Sequence, residues 1–415
     1  MTSWRDRTGC LLVAAALLCV VACGREVPVA ERVQRLVDKG DYAQALVLID
    51  DELKAQPENW SLQDLRVEAL SRAGREDEAL RAYAERWPRG GPERPALFRR
   101  VARGLIRAGL QSDDGQLRTH AAAALSALRA PDLLPLDRQA LGSIDAVVRA
   151  LAGEAIAPLA GAETLALLRA SLEDPQPEVR AAAAGALAGR GEEARADLER
   201  ARSDPSPRVR LRAAAGLVRL GQRDWLPTLL RFLDDRDDSL RMQAAEALGH
   251  LEAVEAVPAL RRRLEDGDAY VRVYAAEALA RLNQPIGREE LARALTHPNA
   301  SVALYAAEAF SNLGDPAGAP RLIRALVSQE EIPTRLYAVW TLARLGDLQG
   351  QPLAEELLGH PDPHVRFQAA WTLGEMRGQG RSSLQRAVLD PSPAVRWQAA
   401  WALARDFTET SRPRG

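Results

Sequence analysis

The side chains best suited to chemistry in this 415-residue chain return at intervals of about thirty-one residues. A short word recurs: an apolar residue, Arg, two variable positions, Ala-Ala, one variable position, Ala-Leu. Counting from the Arg, the fifth following position reads Gly185, Ala215, Glu246, Glu277, Glu308, Trp340, Trp371, Trp401. The second reads Ala182, Arg212, Gln243, Tyr274, Tyr305, Tyr337, Gln368, Gln398, and the first ends with Phe367 and Trp397. Carboxylates beside aromatic rings are binding chemistry. Trp and Tyr are the residues that most often anchor interfaces, and a carboxylate row complements a basic segment. Aromatic residues make up only 5% of the chain, so their gathering into these columns is a signal. Two other uses remain open for the same columns: stacking on sugar faces, and packing between repeats.

Other chemistry is sparse. The histidines are His120, His250, His297, His360 and His364. His360 and His364 share the turn HPDPH without a third ligand nearby. His297 and His360 hold equivalent turn positions, which suits helix-end contacts better than metal. There is no CxxCH, no glycine-rich phosphate loop and no GxSxG. No catalytic residue, cofactor site or metal site is expected, and the chain reads as a non-enzyme. A net charge of −2 with 47% apolar residues excludes binding of nucleic acid by bulk charge.

The elements that carry these columns follow from the period. The Arg stands at 118, 149, 180, 210, 241, 272, 335, 366 and 396, with Ala303 in its place once, at intervals of 30 to 32 residues. Pro and Asp cluster just before it, as in EDPQPEVR (Glu173 to Arg180) and LDPSPAVR (Leu389 to Arg396). An Asp often stands six residues ahead (Asp174, Asp204, Asp235, Asp266, Asp390). That pairing predicts a ladder in which each guanidinium bonds helix ends or an Asp of its own or the adjoining repeat. A second amphipathic stretch precedes each unit, such as VPALRRRLED, Val257 to Asp266. Each unit is therefore a helix pair, too short and Ala-rich to fold alone, and it must stack on its neighbours. At ~100° per residue, positions +1, +2 and +5 fall opposite the apolar face and are expected to point into a groove or at an adjoining repeat.

This pattern resembles the HEAT repeats of the bilin-lyase-like class, over residues 94–407. The resemblance implies an all-α solenoid of stacked helix hairpins, with the second helix of each pair lining a concave face. A bilin-lyase-like accessory role is an alternative, although the shared Val-Arg-x-x-Ala-Ala residues report fold and not chemistry. Deoxyhypusine hydroxylases, which resemble the same class, hold iron with His-Glu dyads. No His here is followed by Glu, so that site does not carry over.

Ahead of the array, GDYAQAL (Gly40 to Leu46) and GREDEAL (Gly74 to Leu80) lie 34 residues apart, and residues 31–90 resemble tetratricopeptide repeats. WPRGGPERP, Trp87 to Pro95, marks a break. Residues 1–22 read as a leader: Arg5 and Arg7, then an apolar run too short to span a bilayer. It ends in VVACG, which resembles the lipobox of bacterial lipoproteins. That resemblance implies an acylated Cys23 and a place on the outer membrane facing the periplasm, with membrane contact through the lipid alone. Cys10 and Cys19 fall in the leader, so Cys23 alone would remain, which excludes a disulfide framework and a catalytic thiol. Residues 23–30 then form a tether, and 408–415 are expected to be a disordered tail.

The sequence thus predicts a lipid-anchored scaffold binding a protein or peptide of the cell envelope. The expected contacts are Tyr274, Tyr305, Tyr337, Trp340, Phe367, Trp371, Trp397 and Trp401, with Glu246, Glu277 and Glu308. A glycan or peptidoglycan ligand on the Trp column is the alternative.

Overall fold

In the computed structural model the described residues are 27–327, 331–376 and 378–409. The leader, Cys23 and tail residues 410–415 lie outside them, while the last helix, Pro393–Glu409, takes in residues 408 and 409. Among the described residues every regular element is helical, and no helix is long and apolar enough to cross a membrane. The chain divides into two compact units between Glu93 and Arg94.

The first unit holds the helices Val29–Lys39, Tyr42–Ala55, Trp60–Arg72 and Glu76–Ala84. Gly40 and Gly74 adopt left-handed backbone (φ 85° and 74°) that ends one helix and turns the chain into the next. Val33, Val37, Ile49, Leu62, Val67, Leu80 and Tyr83 are buried between the helices.

The second unit is the repeat array. Where the turn carries the repeated Pro it falls at the start of the second helix, as in Pro177–Leu187, Pro207–Arg219, Pro363–Gly374 and Pro393–Glu409, where its missing N–H costs nothing. Second helices of successive repeats pack along one another, whereas first helices of successive repeats hardly meet. The stack therefore curves with the second helices on its inside, and the all-α solenoid read from the sequence is what the chain adopts. Ala at the contacts (Ala183, Ala184, Ala213, Ala244, Ala275, Ala306) lets these helices approach closely, and Leu187, Leu217, Leu248 and Leu279 fill the layer beneath.

The Arg ladder has a definite wiring. Each guanidinium donates Nη1 to the backbone oxygen six residues earlier: Arg149 to Ser143, Arg180 to Asp174, Arg241 to Asp235, Arg366 to His360, at 2.8–2.9 Å. In these four the other edge grips the Asp of the following repeat in a fork, Arg149 to Asp174 (2.7 and 2.9 Å), Arg180 to Asp204 (2.8 and 2.9 Å), Arg241 to Asp266 (3.0 and 2.9 Å) and Arg366 to Asp390 (2.8 and 2.9 Å). The same Asp caps the next turn: Asp174 Oδ1 accepts from the Gln176 N–H at 2.9 Å. One side chain thus ties two repeats together. His297 and His360 replace Asp in this turn and keep only the capping role, their Nδ1 atoms accepting from Asn299 and Asp362 N–H at 3.1 Å.

These rungs are nearly dry, so breaking one leaves a buried charge. Arg180→Met is expected to cost about 3 kcal/mol, read as faster hydrogen exchange across Pro177–Leu187 and Pro207–Arg219. The Arg149 guanidinium holds the Asp174 carboxyl below its usual range. That rung therefore contributes fully above the unfolded carboxyl pKa and is lost as pH falls through the lower folded value.

The array closes on itself. The last helix, Pro393–Glu409, packs against Pro95–Leu110 and Gly115–Leu128 of the first repeat. A Cβ on Gly109 would stand 2.8 Å from Ala121 Cβ and 3.3 Å from the Trp397 ring, so the bare glycine lets its neighbouring helix close in and leaves room for that ring. The second unit is a ring of repeats with a seam.

Candidate functional site

The inner wall is built by one stripe of each second helix. In Ala269–Arg281, apart from Ala269 and the ladder Arg272, the partly open positions are Tyr270, Tyr274, Glu277 and Arg281, spaced i, i+4, i+7, i+11. They lie at −2, +2, +5 and +9 from the ladder Arg. At +1, Leu211, Val273, Leu304, Leu336 and Trp397 are buried between repeats, whereas Met242 and Phe367 are partly open. The buried +1 side chains take the second of the two directions expected of positions +1, +2 and +5, towards an adjoining repeat, while Tyr274 and Glu277 at +2 and +5 line the wall.

Aromatic rings run along this wall in a chain of contacts. Tyr270 meets Tyr305 edge-on at 5.2 Å between centroids, Tyr305 meets Tyr337 at 5.9 Å, Tyr337 meets Trp340 at 5.4 Å, and Trp340 meets Trp371 at 5.8 Å. Trp371 and Tyr305 are the most open of the five, 41% and 36% exposed. Five rings from four repeats thus form one continuous ribbon.

The carboxylates lie beside the ribbon and are only partly free. Glu277 Oε1 accepts from Arg281 at 2.9 Å and from the Asn312 amide at 3.3 Å. Glu308 accepts from the Tyr337 hydroxyl and, at 3.3 Å, from Arg344, whose other nitrogen donates to Asn312 Oδ1 at 2.8 Å. The same guanidinium stands 4.8 Å over the Trp340 ring. Burial raises the Glu308 carboxyl, and the Tyr337 hydroxyl and Arg344 offset part of that. Burial, then the nearby Glu246, pushes the Tyr274 hydroxyl up to about 12. Glu246 is exposed at one end of the row, on the rim of a cavity of about 130 Å³ shared with His250, Tyr274, Glu277, Tyr305 and Glu308. The row is therefore a polar network with one open carboxylate, not a bare acidic stripe.

The remaining expected contact residues lie elsewhere. Phe367 stacks on His120 at 4.0 Å, across the seam. Trp397 and Trp401 are 8% and 3% exposed, with ring centroids 6.3 Å apart. Both are buried on the helix that packs against the first repeat of their own ring, and little of either ring is exposed. Tyr270, Arg281, Asn312 and Arg344 were not anticipated. Reading the −2 and +9 columns of the same repeat would have found them, since they continue the stripe one turn either way. Among the described residues no group of three or more His, Cys, Asp or Glu side chains is gathered as metal ligands would be.

A family description, HEAT repeats, matches residues 138–199, 197–271, 262–332 and 319–404. Among solved structures, the chain is similar to the phycocyanin lyase complex of a Nostoc species at 23% identity, covering 69% of this chain and 95% of that one, with a TM-score of 0.36. It is also similar to human deoxyhypusine hydroxylase at 19% identity, covering 68% and 98%, with a TM-score of 0.34. No curated protein matches the sequence significantly.

Proposed function

The chain belongs to the HEAT-repeat family, and on that premise we propose that its inner wall is a docking surface for an extended segment of another protein, with no catalysis of its own. One observation carries the reading: the unbroken ribbon Tyr270, Tyr305, Tyr337, Trp340, Trp371, open to the inside of the ring at Tyr305 and Trp371. A repeat protein has no structural need to leave an indole and a phenol open on its inner wall, whereas rigid aromatic side chains are what interface centres use. Tyr274, with Glu246, Glu277 and Glu308, adds hydrogen-bonding groups along one edge, and the exposed Glu246 favours a cationic residue there. In this reading the chain is tethered to the outer membrane through an acylated Cys23 and faces the periplasm, and its partner is an envelope protein. The VVACG motif supports that location.

The test is capture in the native envelope by a photoreactive residue placed at the exposed position 246. Tyr305→Ala with Trp371→Ala is expected to weaken the captured complex about 100-fold, with helical circular dichroism and melting unchanged. Undiminished capture by a well-folded double variant would remove the ribbon from the interface.

A further inference from the structure

One helix of the inner wall carries positive charge that nothing in the chain neutralises. At the stripe positions −2, +2 and +9, Pro207–Arg219 presents Arg208, Arg212 and Arg219, all exposed. Arg208 Nη2 donates at 3.4 Å to Ser239 Oγ, at −2 of the next repeat, so the two stripes lie side by side and this helix adjoins the one bearing Glu246. The other wall arginines have carboxylates. Arg281 bonds Glu277 of its own helix, and Arg344 and Arg405 reach back to Glu308 and Glu375 of the repeat before. Behind Arg219 the repeat before offers only Ala182, Gly185 and Gly189 at +2, +5 and +9. Its one wall carboxylate, Glu178 at −2, forms no ion pair with these guanidiniums. Among the described residues Arg212 and Arg219 have no hydrogen-bond or ion-pair partner.

Two features set this helix apart from an ordinary solvated face. Its guanidiniums share one concave side, so their fields add. The floor beside them is bare: a Cβ on Gly189 would meet nothing within 4 Å, and one on Gly185 only Arg212 Cδ, at 3.9 Å. A peptide main chain can therefore lie close against it.

Sign and spacing select the occupant. Arg212 and Arg219 stand two helical turns apart, about 10.5 Å. Successive side chains of an extended strand point to opposite sides, so two adjacent acidic residues reach both guanidiniums and form charge-assisted bonds. A uniformly anionic chain fits poorly, because it would run on into Glu246, Glu277 and Glu308. A flat lipid surface cannot enter a concave wall, whereas a polypeptide changes sign within a few residues. On the reading that this wall is the docking surface, we propose that the docked segment carries an acidic pair, Asp or Glu, seated on Arg212 and Arg219. The basic residue that Glu246 favours then lies about three residues away, since neighbouring helices are about 10 Å apart.

Two peptides without aromatic residues test this charge order apart from the ribbon. One is N-acetyl-Gly-Glu-Glu-Gly-Gly-Lys-Gly-amide, the other its sign-reversed counterpart, N-acetyl-Gly-Lys-Lys-Gly-Gly-Glu-Gly-amide. Each is titrated with the full chain and read from the peptide's proton NMR signals, at about 10 mM ionic strength, where charges act over about 30 Å. The first is expected to saturate with a Kd on the order of 1 mM, and the second to bind at least about tenfold more weakly. Arg212→Glu with Arg219→Glu, at exposed positions that make little demand on folding, should reverse that order. Equal affinity of the two peptides, no saturation by the first up to about 10 mM, or an unchanged order in the double variant overturns the proposal. Tighter binding of inorganic polyphosphate, lost in the same variant, also overturns it by assigning the arginines to a polyanion. In the envelope, undiminished capture from position 246 by the Arg212→Glu, Arg219→Glu chain would sink the acidic pair alone. The ribbon stands or falls separately, on Tyr305→Ala with Trp371→Ala.

Discussion

Trp397→Ala combined with Trp401→Ala is expected to open the ring. Each indole is nearly inaccessible, and truncating a buried Trp typically costs about 3–5 kcal/mol. The two rings are neighbours, so the pair costs less than twice that. The loss falls at one place only. At several other joints successive repeats are tied by forked Arg–Asp rungs as well as by apolar layers, as at Arg180 and Asp204. The seam depends more heavily on its rings, with Phe367 on His120 and Trp397 seated over Gly109. Small-angle scattering should therefore show a larger radius of gyration while circular dichroism keeps most of its helical signal. Trp371→Ala, at a ring 41% exposed, should leave the radius unchanged. A double variant that melts lower but scatters like the wild type would mean that the ends stay together without the indoles.

This result bears on how much of the molecule was legible beforehand. The helix pairs, their stacking and the Arg rungs were all readable, because each is fixed within one period and repeated many times. The partner of each Arg was less so. Asp174 stands six residues before Arg180, but its side chain serves Arg149 of the repeat before, and only its backbone oxygen serves Arg180. The distinction depends on how far one layer is rotated onto the next, which no single period encodes. Ring closure is the same kind of quantity summed over the whole array. A residual sign of it was present: a last repeat bearing Trp397 and Trp401 lacks the polar outer face that an open solenoid needs at its end. The alternating fate of the aromatic columns follows from it. Trp340 and Trp371 face the inside, and Trp401, in the same register, meets the first repeat.

Asp137→Leu is the change expected to stabilise the chain most, and it concerns a residue that the repeat alignment itself exposes. Twelve residues before most ladder positions stands a Leu, at Leu168, Leu198, Leu229, Leu260, Leu291 and Leu384, every one fully or almost fully buried, with Ile106, Ile323 and Ala354 at three others. At the same place before Arg149 stands Asp137, on the helix Leu134–Leu141, 2% exposed and with no hydrogen bond to its Oδ1. Burial alone raises its carboxyl from 3.8 to about 7. The sign follows from linkage: the folded state holds a proton that the unfolded state has released, so stability falls as pH rises from about 4 to about 7 and stays low above that. The full difference corresponds to about 4 kcal/mol, and Leu in a site built for Leu adds apolar burial on top. Melting curves of wild type and Asp137→Leu should therefore diverge as pH rises from 4 to 8, with the variant higher throughout. Asp137→Asn, which removes the charge but keeps the shape, should flatten the pH dependence while recovering only part of the gain. Parallel curves for wild type and Asp137→Leu across that range would mean that the carboxylate is ionised and solvated in the folded chain, contrary to its burial.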